Sequence, residues 1–539
     1  MKELVIKHFL IFFLFGVAST SAQEVLLPLG SMFKDATILS DENATQKPFI
    51  GTGLFPVMEG SVRPVYYENK SDYISEFKWF RRKLFHQHFV EIQGDDYFLA
   101  IDPLINASLG QERSDDTRNL FQNTRAFQVT GEVMNRVSFY TGFYENQARF
   151  AQYQENYFED RGEKRYNEQQ EQYLTLNAVV PGAGRTKPFK EDAFDYASSL
   201  SYIRYRINDK AAVQLGNTPN FVGWGHRSML LSDNSFNATA LRGDFTINEK
   251  WSYSVLRSKH LNLYRRIRRL DGEIFSTAVE EPYEKKNYGA HYLTYQPVPQ
   301  LTLGFFEANV YFREDSIHSQ WMHPLYFNPV AGLNTAVFGW ENQQAKSLVG
   351  MNAAWQIGKS HMAYAQLVTD DLSRNLEYGV QLGWRSKNPF ELEGLDLQIE
   401  FNRATERLYA ANNRRLAYTH FNLPLAHTLG NGFDELIFRL NYMYKNFYFQ
   451  FHTVYYRADQ PMENQTHLFL EKTKPSDFDR ITVNYNEIEL GYRFNPRTNL
   501  RLFTKLVYRN SAAESGVNTE TTLVFFGLKT GLFNNYTDF

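Results

Sequence analysis

The sequence predicts an all-β protein, a transmembrane antiparallel β-barrel of about 18 strands, each near the 9 to 11 residues that a tilted membrane strand requires. Three observations lead there. The 539-residue chain is 43% hydrophobic and 16% aromatic, with 45 Phe and 34 Tyr, yet its mean hydropathy is −0.47. Apolar and polar residues are therefore interleaved. The interleaving has a period of two, and the joins between alternating segments are short and long in turn.

Lys2 and Lys7 precede an apolar run, Phe9 to Val17, too short to cross a bilayer, and Thr20-Ser21-Ala22 offers a small-residue cleavage site. Residues 1–22 read as a secretory signal. No later segment reaches the length of a transmembrane helix, so entry into a membrane requires a closed barrel. The predicted location is the cell outer membrane. With 57 Lys+Arg against 60 Asp+Glu the chain is near neutrality, which argues against a nucleic-acid partner. The absence of cysteine excludes disulfides, thiolate metal sites and cysteine nucleophiles.

Residues 23–96 read as a periplasmic N-terminal segment with one amphipathic helix over 71–92. Its stripe of Ile74, Phe77, Phe80, Leu84, Phe85, His88, Phe89 and Ile92 recurs every three or four residues, opposite Lys78, Arg81 and Arg82. From Tyr97 to the end, residues 97–539, the period is two. Leu395, Leu397, Ile399 and Phe401 alternate with Asp396, Gln398, Glu400 and Asn402, and Ile488, Leu490 and Tyr492 alternate with Glu487, Glu489 and Arg493. Tight turns are predicted at 134–137, 207–210, 247–250, 296–300, 357–360, 444–447 and 494–498. Long joins are predicted at 150–194, 217–239, 264–285, 312–345, 404–433 and 457–481. Short turns at one end and long loops at the other are the pattern of an outer-membrane barrel with inward-folded extracellular loops. The terminal Phe539 follows a last strand over Thr521 to Thr530, and a terminal aromatic in that place resembles the signal read by barrel-assembly machinery.

Catalytic motifs are lacking: the chain has no HExxH, GxSxG, P-loop or EF-type calcium loop. His86 and His88 stand two apart on the predicted helix and point to different sides, so they make no metal pair. The chain reads as a non-enzyme without cofactor or metal.

The most distinctive stretch runs from Gly216 to Asn234. Its residues Phe221, Gly223, Trp224, Gly225, His226, Arg227, Ser228, Asp233 and Asn234 mix apolar and charged types, which predicts a loop folded into the lumen as a plug. Here the sequence resembles the Wzi-type capsule-assembly family of outer-membrane proteins, whose segment runs Trp-Gly-Pro-Gly and then Ser-Leu-Ile-Leu-Ser-Asn-Asn. Gly223, Gly225, Ser228, Leu230, Leu231, Ser232 and Asn234 match it, and His226-Arg227 depart from it. Asn123-Thr124-Arg125, the run from Phe139 to Phe150 and the run from Trp321 to Pro329 resemble the Bacteroidetes branch that includes the gliding-motility protein RemB. The resemblance implies an 18-stranded barrel with a periplasmic helical part and loops that occlude the pore. It also implies a lectin-like role, binding capsular or extracellular polysaccharide, with gliding motility served by the RemB branch.

Tyr264, Arg265, Arg266, Arg268, Arg269 and Trp321 read as candidate polysaccharide-binding residues, because aromatic faces and guanidinium forks suit acidic glycans or lipopolysaccharide phosphates. The competing reading of the arginine run is a solvated loop paired with Asp271, Glu273, Glu280 and Glu281. Glu400, Arg439, Glu489, Arg493, Arg501 and Lys505 read as lumen charges of both signs, which favours a filled lumen over a selective channel. The expected partners are outer-membrane lipid, lipopolysaccharide and surface polysaccharide. A porin-type channel and an accessory subunit of a secretion or motility complex remain alternatives.

Overall fold

A computed structural model describes residues 52–56 and 78–539 apart from 115–116, 168, 171, 266–268, 271–272, 275–282, 313–323, 373–375, 462–477, 532–533 and 535. The predicted signal, residues 1–22, lies outside the described residues, as does the first part of the predicted helix.

The chain builds a closed 18-strand antiparallel barrel. Its strands are β1 (Tyr97–Arg113), β2 (Thr117–Val133), β3 (Val137–Arg149), β4 (Ala193–Asn208), β5 (Ala211–Gly216) and β6 (Ala240–Thr246). They continue as β7 (Trp251–Arg265), β8 (Tyr283–Val298), β9 (Leu301–Tyr311), β10 (Ala345–Ile357), β11 (His361–Asp371) and β12 (Glu377–Lys387). The last six are β13 (Leu395–Ala404), β14 (Phe433–Tyr444), β15 (Phe447–Pro461), β16 (Phe478–Asn495), β17 (Leu500–Ala513) and β18 (Asn518–Lys529). Each strand pairs with its sequence neighbour. β18 closes on β1, from Asn106 opposite Lys529 to Arg113 opposite Thr522, so no edge is left at the seam.

Period-two alternation sorts the two faces of the wall. Ile399 and Phe401 stand outward on β13 while Gln398, Glu400 and Asn402 are buried in the lumen. On β17, Leu506 and Tyr508 point out while Arg501 and Arg509 are buried inside. Exposed aromatics gather beside the short turns, with Trp355, Trp384, Tyr444 and Phe447 marking one interfacial girdle. Three of those turns are Met134-Asn135-Arg136, Gly358-Lys359-Ser360 and Lys445-Asn446. Met134 and Asn135 both take positive φ, at 53° and 52°, matching the twist of a tight hairpin. An arginine in the apolar belt should therefore be costly. Leu382, 55% exposed at the middle of β12, changed to Arg is expected to lower folding free energy in lipid by about 2–4 kcal/mol. Denaturant titration in vesicles checks this, with Leu382→Phe as the tolerated control.

The N-terminal segment departs from expectation in two ways. The helix is α1, Trp79–Phe85, and the predicted extension to residue 92 is replaced by a strand, Val90–Gln93, paired antiparallel with Phe98–Ile101 of β1. The cause lies on β1. Asp102 accepts hydrogen bonds from Phe89 N at 2.9 Å and pairs with His88 Nδ1 at 2.7 Å, and the part of β1 below the β18 seam offers a free edge to pair. α1 rests on the short-turn rim, where Asn495 Nδ2 donates to Lys83 O and Gln87 O and Phe85 meets Phe494 edge-on. The second departure concerns residues 52–56. They lie inside the barrel rather than beneath it, with Leu54–Phe55 paired to Phe221–Val222.

Candidate functional site: the filled lumen

A barrel of 16 to 18 strands would leave an aqueous channel unless something occupied it. Here the chain fills its own lumen. β5 and β6 are only 6 and 7 residues long, because Pro219 cannot donate to the ladder and the chain turns inward after Gly216. The loop 217–239 then descends almost through the barrel. Trp224 packs against Ala354, Met362 and Tyr364, close to the tight turn at Gly358, and Arg385 Nε donates to Trp224 O at 2.8 Å.

Wall residues hold this loop by its backbone. Glu400 accepts from His226 N at 2.7 Å and from Arg227 N at 3.0 Å, while Tyr364 OH donates to the same carboxylate at 2.7 Å. Gln366 accepts from Met229 N at 2.7 Å and donates to Val222 O at 2.9 Å. Ser228 Oγ donates to Val222 O at 2.5 Å and accepts from Leu230 N and Leu231 N, folding the loop on itself. From above, the loop 405–432 adds Tyr409 OH to Met229 O at 2.7 Å and Tyr418 OH to Leu230 O at 2.8 Å. Asn234 Nδ2 donates to Pro424 O at 3.2 Å.

The chain's last residues complete the stopper. β18 ends at Lys529, and beyond it the tail runs back up inside the barrel to Phe539. Its ring stacks on Tyr157 with centroids 3.7 Å apart. Asp233 ties loop to tail by accepting from Asn534 Nδ2 at 2.9 Å and Tyr536 OH at 2.7 Å. Arg227, fully buried, lies 2.8 Å from Asp538 and 3.4 Å from Glu435 on β14. Burial alone would raise the Asp538 carboxyl. The Arg227 guanidinium and the hydrogen bond from His226 hold it well below the usual carboxylate range instead.

All nine predicted plug residues, from Phe221 to Asn234, occur in this loop inside the barrel. The six predicted lumen charges also face inward. Glu489 accepts from Lys529 Nζ at 2.6 Å and Tyr448 OH at 2.9 Å, Lys505 pairs with Glu487 at 3.4 Å, and Arg439 donates to Gln398 at 2.9 Å. Arg501 lies over the Tyr448 ring and Arg493 is buried near the short-turn rim. Arg439, Glu489, Arg501 and Lys505 line, with Asn106, Gln122 and Asn146, a residual cavity of about 330 Å³ beside the stopper, whereas Glu400 and Arg493 lie away from it. Sequence reasoning missed Gln366, Tyr409, Tyr418, Glu435 and Asp538. Glu435 was open to detection, since it shares inward parity with Arg439 on one strand.

The predicted arginine patch divides. Tyr264 is fully buried against Tyr173 and Arg414, and Arg265 donates to buried Glu163 at 2.6 Å beside Tyr283. These two are structural, because the top of β7 is roofed by the loop 150–192. Arg269 sits in a short hairpin, Arg269–Leu270 with Glu273–Ile274. Arg266, Arg268 and Trp321 lie outside the described residues.

No protein-family model matches the chain, and no curated protein sequence matches it. Among solved structures the barrel aligns with Wzi, described as an outer-membrane protein involved in group 1 capsule assembly in Escherichia coli and a carbohydrate-binding β-barrel. That alignment has a TM-score of 0.51 and 12% identity and covers 94% of this chain and 99% of Wzi. The fold is Wzi-like. Weaker alignments, with TM-scores of 0.40 and 0.39, join it to OccAB4 of Acinetobacter baumannii and OccK2 of Pseudomonas aeruginosa in complex with glucuronate. Each is 10% identical, covering 81% and 82% of this chain and 98% and 99% of theirs.

Proposed function

We propose that this outer-membrane barrel binds and organises capsular or extracellular polysaccharide at the cell surface, and that surface gliding is one process it serves. The observation that carries the reading is the stopper. A lumen filled by residues 52–56, two loops and the chain's own tail is built for display of the opposite rim rather than for flow. The long loops on that rim, and the carbohydrate binding ascribed to Wzi, support a glycan as the ligand.

A glycan array probed with the detergent-solubilised full chain tests it. Retention of an acidic polysaccharide is expected, and a blank array together with a large stable conductance in planar bilayers would replace the reading with an uptake channel. Changing Arg266, Arg268 and Arg269 together to Ser is expected to reduce polysaccharide retention on cells while leaving barrel assembly intact. Arg265→Ser belongs to a separate arm, since that side chain anchors Glu163. Unchanged retention in the triple variant would remove the patch from the proposal.

A second reading, an accessory subunit of a secretion or motility complex, rests on Trp79 and Phe80 of α1. They are 55% and 69% exposed at the short-turn rim. Co-purification of a defined protein that survives polysaccharide removal and is lost in Trp79→Ser/Phe80→Ser would favour it.

A further inference from the structure

We propose that His226, His452 and Asp538 form a transition-metal site at the centre of the stopper. The three come from the plug loop, the wall strand β15 and the tail, and one ligand atom of each lies within 4.8 Å of the other two. Asp538 Oδ2 is 3.4 Å from His226 Nε2 and 3.4 Å from His452 Nε2. Both separations are long, the first a stretched hydrogen bond and the second none. They match the edges of a tetrahedral centre, about 3.4 Å when the metal–ligand bonds are about 2.0–2.1 Å.

The surroundings support the donor set independently. His452 Nε2 is buried and has no hydrogen-bond partner among the described residues, a costly arrangement unless something accepts its lone pair. Arg227 takes Asp538 Oδ1 at 2.8 Å, which leaves Oδ2 turned toward the imidazoles. The His226 ring is fixed between His452 and Tyr536, both edge-on, and its backbone N is held by Glu400. The His452 ring meets Tyr485 edge-on. Supporting contacts of this kind orient ligands and set their availability. All three residues line the lumen cavity, so a fourth coordination position is open to water.

Two imidazoles and one carboxylate suit Zn²⁺ or a neighbouring divalent transition ion better than Ca²⁺ or Mg²⁺, which favour all-oxygen shells. Arg227 shares the carboxylate and will moderate the affinity. Sequence spacing concealed the set, because the ligands lie far apart at positions 226, 452 and 538. A bound ion would tie loop, wall and tail at one point, independently of any glycan bound outside.

The test uses the full chain in detergent, stripped with chelator, loaded with Zn²⁺ or Co²⁺, desalted and assayed for metal. About one ion per chain is expected, with the visible spectrum of tetrahedral Co²⁺ bound by nitrogen and oxygen. The ion should be lost in Asp538→Asn and in His452→Phe and kept in His361→Phe, with heat-modifiable electrophoretic migration showing that each barrel is assembled. A wild-type chain that retains no ion, or site variants that retain it, would overturn the proposal. If both site variants fail to assemble, the wild-type Co²⁺ spectrum decides alone: imidazole-type bands support the site and hexa-aquo-type bands exclude it.

Discussion

Replacing Arg227 with Met is expected to cost about 3–5 kcal/mol and to open the lumen, because it strands two buried carboxylates. Glu435 and Asp538 both face this guanidinium, and none of the three is exposed to water. His427 Nε2, 2.7 Å from Glu435, compensates for part of the loss only if it takes a proton in a fully buried setting. The two ion pairs join three parts of the molecule: Arg227 belongs to the plug loop, Glu435 to the wall and Asp538 to the tail. Losing the cation should therefore detach loop and tail together while the wall, held by its closed ladder, persists. The expected signature is a lower temperature for conversion of the folded to the unfolded electrophoretic band, together with higher bilayer conductance. The double variant Arg227→Met/Asp538→Asn should recover part of the stability, since one stranded charge is removed. Wild-type stability and conductance in the single variant would show that the ion pairs do not hold the stopper.

Much of the wall was legible in the sequence. The reason is geometric, since a strand shows alternate residues to lipid and to lumen, so Ile399 and Glu400 declare their faces by their chemistry alone. Turns were legible too, because a two- or three-residue hairpin leaves no room for anything but a reversal. The stretch Gly216 to Asn234 stood out for the same kind of reason, as a mixture of apolar and charged residues that breaks the alternation and includes Gly223, whose φ of 123° excludes most side chains.

The contents of the lumen were less legible. Nothing local marks Leu54–Phe55 as the partner of Phe221–Val222, because that pairing spans the chain and depends on the finished barrel. The place of Phe539 after a last strand gives no local hint that its ring stacks on Tyr157 in a distant loop. The predicted helix ran too far for a similar reason. Ile92 and Phe89 keep a helical spacing, but Asp102 and the unpaired lower half of β1 offer the backbone better hydrogen bonds as a strand. Tyr264 and Arg265 show the limit for charge runs, since a basic hexapeptide was read as one exposed patch and its first two residues are roofed by Glu163 and Tyr173.

The largest steric effect is expected from Gly225→Val. A Cβ at this position would lie 2.5 Å from Arg227 O and 2.7 Å from Glu400 Oε2, which are the loop's own backbone and the carboxylate that anchors it. Neither can move without releasing the hydrogen bonds from His226 N and Arg227 N. At Gly223 the nearest atom is the Gln366 amide, the end of a rotatable side chain, so steric relief is easier there although the positive φ adds backbone strain. Overpacking of this type costs about 1–3 kcal/mol in a core able to adjust, and the Gly225 site has a backbone oxygen on one side and a buried carboxylate on the other. The loop should leave its seat, raising conductance and the sensitivity of cells to bulky antibiotics, while the strand ladder and surface display remain. Gly332→Val, with a positive φ of 83° and nothing within 4 Å of the added Cβ, is the converse comparison, since it carries backbone strain without a clash whereas Gly225 meets a clash without a positive φ. Equal permeability in the Gly225 and Gly332 variants would mean that loop 217–239 fills the lumen without sealing it, and the barrier would then have to lie in the loop 405–432 and the tail.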